Sequence, residues 1–246
     1  KIDAQAYVVD INGQLRWQRH ADLPLPPASL TKLMTALLVL EDGQLDRNVS
    51  VSAKAARQGG TRIGVRAGER YAVRDLLAAA LVASANDACQ ALADALGDPA
   101  RPDDFVDRMN RRATALGLTV TRFRNACGFD APGHVSTARE LALVARAALR
   151  FPELARIVAQ PRVVMRAAGS QRELSRPSTN ALLGNYAPAA GVKTGYTTQA
   201  GPCLIALGRQ NGIEVLIVML NARNRWWDAV GMFEHAFATA ADANGR

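Results

Sequence analysis

Strand signals at the two ends of the chain, with an almost unbroken run of helical signals between them, restrict the fold more than any other feature. Residues 4–11 read as a strand, Asn12-Gly13 as a two-residue hairpin turn, and 14–19 as the returning strand. Strand character then lapses until 162–168 and 171–175, which flank a glycine turn as a second hairpin. Three more strands follow at 191–197, 203–208 and 213–220, the last two joined by Asn211-Gly212. Two N-terminal and three C-terminal strands can join in one five-stranded antiparallel sheet flanked by helices, beside a mostly helical insert. That is an α+β fold. The expected division is an α/β part at about 1–50 and 160–246 and a helical part at about 52–158, together one domain over 1–246.

Helices are expected at about 29–41, 52–58, 71–83, 87–96, 103–116 and 138–150. The last is opened by a capping box, Thr137-Ala138-Arg139-Glu140. A final helix over about 225–241 carries Trp226, Trp227, Phe233 and Phe237 on a helical period, which reads as a set of core contacts. Although 49% of the residues are hydrophobic, no run reaches the roughly 18 apolar residues of a membrane span.

The formal net charge of +8 suits an anionic environment such as nucleic acid, a membrane surface or a cell-wall polymer. The basic residues are scattered, with no arginine block and no interleaved aromatics, so nucleic acid is not indicated. Only four of the 30 basic residues are lysines, at 1, 32, 54 and 193. Arginine keeps its proton, whereas a buried lysine can lose it, which singles out Lys32 and Lys193. Cys89, Cys127 and Cys203 show no CxxC pairing and no metal spacing; they read as buried thiols, with one disulfide as the alternative. No secretory leader begins at Lys1, so the chain reads as cytosolic or already processed.

Three short stretches carry chemistry. In Ser29-Leu30-Thr31-Lys32, at the head of a helix, residues three apart share a face, so the lysine can reach the serine hydroxyl. Ser84-Ala85-Asn86 breaks two apolar helices and can present its side chains to a cleft. Lys193-Thr194-Gly195 lies in a late strand, where the missing side chain of glycine lets a ligand or another backbone approach. Each has an ordinary alternative: Ser29 as a helix cap, Ser84-Asn86 as the cap of the next helix, and Lys193 as an edge-strand charge that discourages aggregation.

Together, and in this order, the three stretches resemble the active-site signature of penicillin-binding proteins and serine β-lactamases. The flanking residues, including Ala28 to Ala36, Ser84-Ala85-Asn86-Asp87-Ala88, Lys193 to Thr197, Gly133 to Ala138 and Arg70 to Leu77, resemble the low-molecular-mass D-alanyl-D-alanine carboxypeptidases over about residues 4–240. The resemblance implies a periplasmic or otherwise extracytoplasmic enzyme that trims peptidoglycan stem peptides through a serine acyl-enzyme and is inhibited by β-lactams. It implies Ser29 as nucleophile, Lys32 as base, Ser84 as proton relay and Asn86 as the group orienting Lys32. Lys193, Thr194, Gly195, Tyr196 and Thr197 would bind substrate, and the backbone N–H groups of Ser29 and Tyr196 would form the oxyanion hole. No metal, nucleotide or other cofactor is implied. Many members continue into a β-rich C-terminal domain and a membrane anchor, and here the sequence stops at Arg246. The expectation is therefore a short-form or trimmed chain, with any peripheral membrane association made through a missing segment.

Two alternatives remain within the family: a D,D-endopeptidase that cleaves cross-links, and a β-lactam or cell-wall sensor without turnover. A class A β-lactamase is disfavoured because Glu153 and Glu173 are the only acids between 141 and 213, and neither begins a Glu-x-x-x-Asn pattern. No serine lies in Gly-x-Ser-x-Gly, and His20, His134 and His235 have no evident serine partner. His134 reads as a loop residue before the capped helix.

Overall fold

The structure, a computed structural model, describes residues 2–101 and 103–244. The chain begins with β1 (Ala4–Ile11), turns through Asn12 and Gly13, both at positive φ, and returns as β2 (Gln14–Arg19). One turn of 3-10 helix (Ala28–Thr31) runs directly into α1 (Lys32–Asp42), which stops at a left-handed Gly43. Next come β3 (Asn48–Ser50), α2 (Ala53–Ala56) with Ser52 as its cap, and β4 (Arg70–Ala72). The helical part continues through α3 (Val73–Val82), α4 (Asn86–Leu96), α5 (Asp104–Ala115), α6 (Ala138–Leu149) and α7 (Pro152–Val158). β5 (Arg162–Arg166) and β6 (Glu173–Pro177) form a hairpin, followed by β7 (Ala189–Thr197), β8 (Gly201–Gln210), β9 (Ile213–Ala222) and α8 (Arg225–Asn244).

The expected sheet is present: five antiparallel strands in the order β2-β1-β9-β8-β7. Its central strands are apolar almost without alternation because both faces are covered. Ile205 and Val218 belong to the core shared with α1, α3 and α6, of which α6 lies against β9 and β1, while Leu204, Ile217 and Met219 belong to the core shared with Phe233 and Phe237 of α8. Gly208 leaves room for the Phe233 ring, since a Cβ there would meet Phe233 Cε1 at 2.7 Å. α1 is buried on every side from Lys32 to Leu40, as befits a helix at the centre of the molecule. The register places Lys193 opposite Ile205, Ile205 opposite Val218, and Val218 opposite Val8. Side chains on one rung share a face, so Lys193 projects toward the helices alongside three buried aliphatics. Among the described residues, no helix is long and apolar enough to cross a membrane.

Five local expectations are corrected. Tyr71 belongs to β4, where it pairs with Val49 of β3, and the helix starts two residues later. Trp227 is 82% exposed and outside the core, whereas Phe233 and Phe237 are buried as expected and Trp226 is partly so. Cys89 and Cys127 form a disulfide, leaving Cys203 as a buried thiol. The capping box is half made: Thr137 Oγ1 accepts from Glu140 N at 3.1 Å, but the Glu140 carboxylate turns to the backbone N–H groups of Thr119, Val120 and Thr121. Ser29 lies in the 3-10 turn, three residues before the α-helix begins at Lys32.

Candidate active site

The 3-10 turn brings Ser29 Oγ within 3.0 Å of Lys32 Nζ. Lys32 is fully buried, and its nitrogen has two further partners, Asn86 Oδ1 at 2.8 Å and the Cys127 carbonyl at 2.7 Å. Both of these oxygens can only accept. A neutral amine has two N–H bonds and one lone pair, so with both N–H bonds used its lone pair faces the serine hydroxyl. Burial lowers the Lys32 pKa from 10.5 to about 7, so the neutral amine is well populated at neutral pH. Ala28, immediately before the serine, is held at φ +49°, and its carbonyl is so close to Gly128 that a Cβ there would sit 1.9 Å from it. Position 128 therefore accepts only glycine, and the strained turn is fixed from outside.

Ser84 and Asn86 occupy the break between α3 and α4. Ser84 takes φ +56°, unusual for a residue with a side chain, and its hydroxyl accepts from Lys193 Nζ at 2.8 Å. Asn86 is oriented by its Nδ2, which donates to Gly59 O at 2.9 Å and leaves Oδ1 facing Lys32. Gly59 is in turn held by its loop, because the buried carboxylate of Asp87 accepts from the backbone N–H groups of Ile63, Gly64 and Val65 at 2.8–3.2 Å. Asp87 thus pins the segment that pins Asn86.

Lys193 is 1% exposed, so it is not a solvated edge-strand charge. It also donates to Thr194 O at 2.8 Å. Burial, followed by the charges of Lys32 and Arg225, pushes its pKa well below the usual lysine range. Thr194 Oγ1 is 2.6 Å from Thr179 Oγ1. Gly195 brings β7 against the Ser29 turn, where a Cβ would lie 3.1 Å from Ala28 Cβ and 3.3 Å from Ser29 N. Tyr196 is 66% exposed beside this contact, and Thr197 Oγ1 donates to Asp130 Oδ1 at 2.6 Å. The structure therefore gathers Ser29, Lys32 and Asn86 into one hydrogen-bonded group, and Ser84, Lys193 and the Thr194 backbone into a second. Tyr196 and Thr197 lie at the rim rather than in either group.

Sequence reasoning missed several supports. His134 is buried, accepts from Arg124 N through Nδ1 at 3.1 Å, and lies 2.9 Å from Thr31 Oγ1 through Nε2, which fixes the neutral tautomer with Nε2 protonated. Asn125 Oδ1 accepts from the backbone N–H groups of Cys127, Gly128 and Phe129, shaping the loop that delivers the Cys127 carbonyl. Arg225 Nη1 donates to Gly195 O at 2.8 Å and Cys203 O at 3.0 Å, with its guanidinium 4.6 Å from the Trp226 ring centre. The contacts of His134 with Thr31 and of Arg225 with Gly195 and Cys203 have no local signal, because each partner is distant in sequence, whereas the Asn125 turn is local and was overlooked.

Comparison with known proteins shows the family and the fold. Residues 1–224 match the family model for D-alanyl-D-alanine carboxypeptidase. The chain is 31% identical to the D-alanyl-D-alanine carboxypeptidase DacF of Bacillus subtilis, over 92% of this chain and 59% of that protein. It is 34% identical to a D-alanyl-D-alanine endopeptidase of Pseudomonas aeruginosa, over 96% of this chain and 74% of the relative. The crystal structure of the Streptomyces K15 DD-transpeptidase superposes with a TM-score of 0.92 at 29% identity, covering 97% of this chain and 98% of that one. The chain thus spans about three fifths of one relative and nearly the whole of another. By sequence and by fold, it belongs to the D-alanyl-D-alanine carboxypeptidase family.

Proposed function

We propose that the chain is a serine-type D-alanyl-D-alanine carboxypeptidase that trims peptidoglycan stem peptides through an acyl-enzyme. One observation carries the reading: Lys32 Nζ lies 3.0 Å from Ser29 Oγ, with its other two hydrogen-bonding directions occupied by acceptors. In this reading Lys32 takes the Ser29 proton as the hydroxyl attacks the carbonyl of the penultimate D-alanine. The backbone N–H groups of Ser29 and Tyr196 receive the developing oxyanion, a role consistent with the tight approach of Gly195 to Ser29 N. Ser84, hydrogen-bonded to Lys193, passes a proton to the leaving amine. The terminal carboxylate of the substrate binds at Thr194 in the positive field of Lys193 and Arg225, with Tyr196 and Thr197 bordering it.

A β-lactam presents the same acyl carbonyl and acylates Ser29. The test is fluorescent-penicillin labelling of wild type and Ser29→Ala: the wild type is expected to label and the variant to lose the label. Persistent labelling of Ser29→Ala would sink the assignment of the nucleophile. The similarity to an endopeptidase gives a second reading, cleavage of cross-links, which is favoured if cross-linked dimers are split faster than pentapeptides are trimmed. A protein that labels but releases no D-alanine would instead be a sensor. The substrate and the Cys89–Cys127 disulfide both support an extracytoplasmic, periplasmic setting, since disulfides persist in oxidising compartments.

A further inference from the structure

Two acceptors aim the Lys32 amine, and they come from different parts of the chain. Asn86 opens α4, whereas the Cys127 carbonyl belongs to the loop between α5 and α6. Cys89 lies three residues after Asn86 on α4, and it is bonded to Cys127 itself. We propose that the Cys89–Cys127 disulfide is a positioning element for catalysis, cross-linking the two acceptors that point the Lys32 lone pair at Ser29. This rests on the reading of Lys32 as the base.

The geometry argues for more than a staple. The residue whose sulfur is bridged is the residue whose carbonyl touches the base, so a displacement of Cys127 on losing the bridge acts directly on the 2.7 Å contact. Asn125 holds the same segment through three backbone N–H groups, so the loop stays folded without the bridge but is less tightly fixed against α4. A looser loop also admits water to a lysine whose lowered pKa is caused by burial. The charged or titratable groups around this centre are Lys193 on β7, Arg225 on α8, His134 in the loop and Asp87 on α4. His134, lowered to about 4, stays neutral across the neutral range, and Asp87 is held by backbone N–H groups. Lys193 and Arg225 lie on β7 and α8, and neither element carries a bridged cysteine.

The pH dependence of Ser29 acylation by a fluorescent penicillin tests the proposal on three forms: oxidised wild type, the Cys89→Ala/Cys127→Ala double variant, and wild type reduced by a dithiol. Reduction transfers two electrons and two protons to give two thiols, and the reagent leaves as its cyclic disulfide. The reduced wild type supplies the answer if the double variant fails to fold, and circular dichroism establishes that each severed form is native. Acylation by the oxidised form is expected to rise through a midpoint near 7. In the severed forms the midpoint moves upward by about half a unit or more, and the plateau falls about tenfold. A severed, folded form with an unchanged midpoint overturns the proposal, because loss of a purely structural bridge lowers melting temperature without retuning Lys32. Wild type that is not acylated at all would instead refute the acyl-enzyme reading, and this inference with it.

Discussion

Lys32 and His134 are both bases whose pKa burial lowers, yet they differ in the outcome. Lys32, lowered to about 7, remains titratable where a proton acceptor is useful, whereas His134, lowered to about 4, is locked as a neutral donor to Thr31. The His134 shift has a consequence for stability. Between pH 6.5 and about 4 the unfolded chain binds the proton and the folded chain does not, so this contribution is complete above pH 6.5 and is lost as the pH falls through that window. A shift of this size corresponds to something on the order of 3 kcal/mol. Wild type should therefore lose several degrees more of Tm than His134→Gln between pH 7 and 4.5; parallel melting curves would show that the imidazole does not carry the dependence. The Ser29–Lys32 pair was legible in the sequence because three-residue spacing on a helical turn is local. The partnership of His134 with Thr31 was not, since 103 positions separate them and an isolated loop histidine carries no signal.

At the level of elements, each motif sits where one element ends and another begins or where a strand is exposed at an edge: the 3-10 turn before α1, the break between α3 and α4, and strand β7. The strands of the main sheet could be read because both-sided burial makes β8 and β9 continuously apolar and because Asn-Gly marks their turns. β3 and β4 could not, since three residues are too few to show alternation. The segment before β7 was also opaque, although it supplies Thr179. Thr179 N donates to Val82 O at the end of α3, and its hydroxyl lies 2.6 Å from Thr194 Oγ1 but 3.4 Å from Val82 O. The shorter contact favours Thr179 donating to Thr194, which leaves the Thr194 proton free for a substrate carboxylate. Thr179→Val is thus expected to raise KM for a peptide ending in a carboxylate by about fivefold to tenfold, the worth of about 1 kcal/mol of hydrogen-bond orientation, with kcat little changed. Thr179→Ser should restore it, and a substrate amidated at its C-terminus should not respond. Equal losses on acid and amide would mean that Thr179 merely packs the loop.

The whole molecule is a sheet with a helical lobe against one face, and the site lies along the seam between them. The seam was implicit in the order of the three motifs, one from the sheet's edge and two from the helical side, but its closure was not. Lys193 to Ser84 joins the two sides deep in the cleft, and Thr197 to Asp130 joins them again at the rim beyond Tyr196. Asp130 is exposed and sits in the loop that also bears the Cys127 carbonyl, so the rim bridge is separable from the machinery around Lys32. A single solvent-exposed hydrogen bond of this kind contributes about 1 kcal/mol, which is about fivefold in a rate constant. A linear pentapeptide needs little room at the rim, whereas a cross-linked dimer carries a second peptide across it. Asp130→Ala is therefore expected to raise kcat/KM for cross-linked dimers relative to pentapeptides by up to about fivefold, with penicillin acylation unchanged. The measurement is a competition between the two substrates, read by product release. An unchanged ratio in a folded Asp130→Ala protein would mean that the rim bridge does not gate the cleft and that access is set by the rigid lobes themselves.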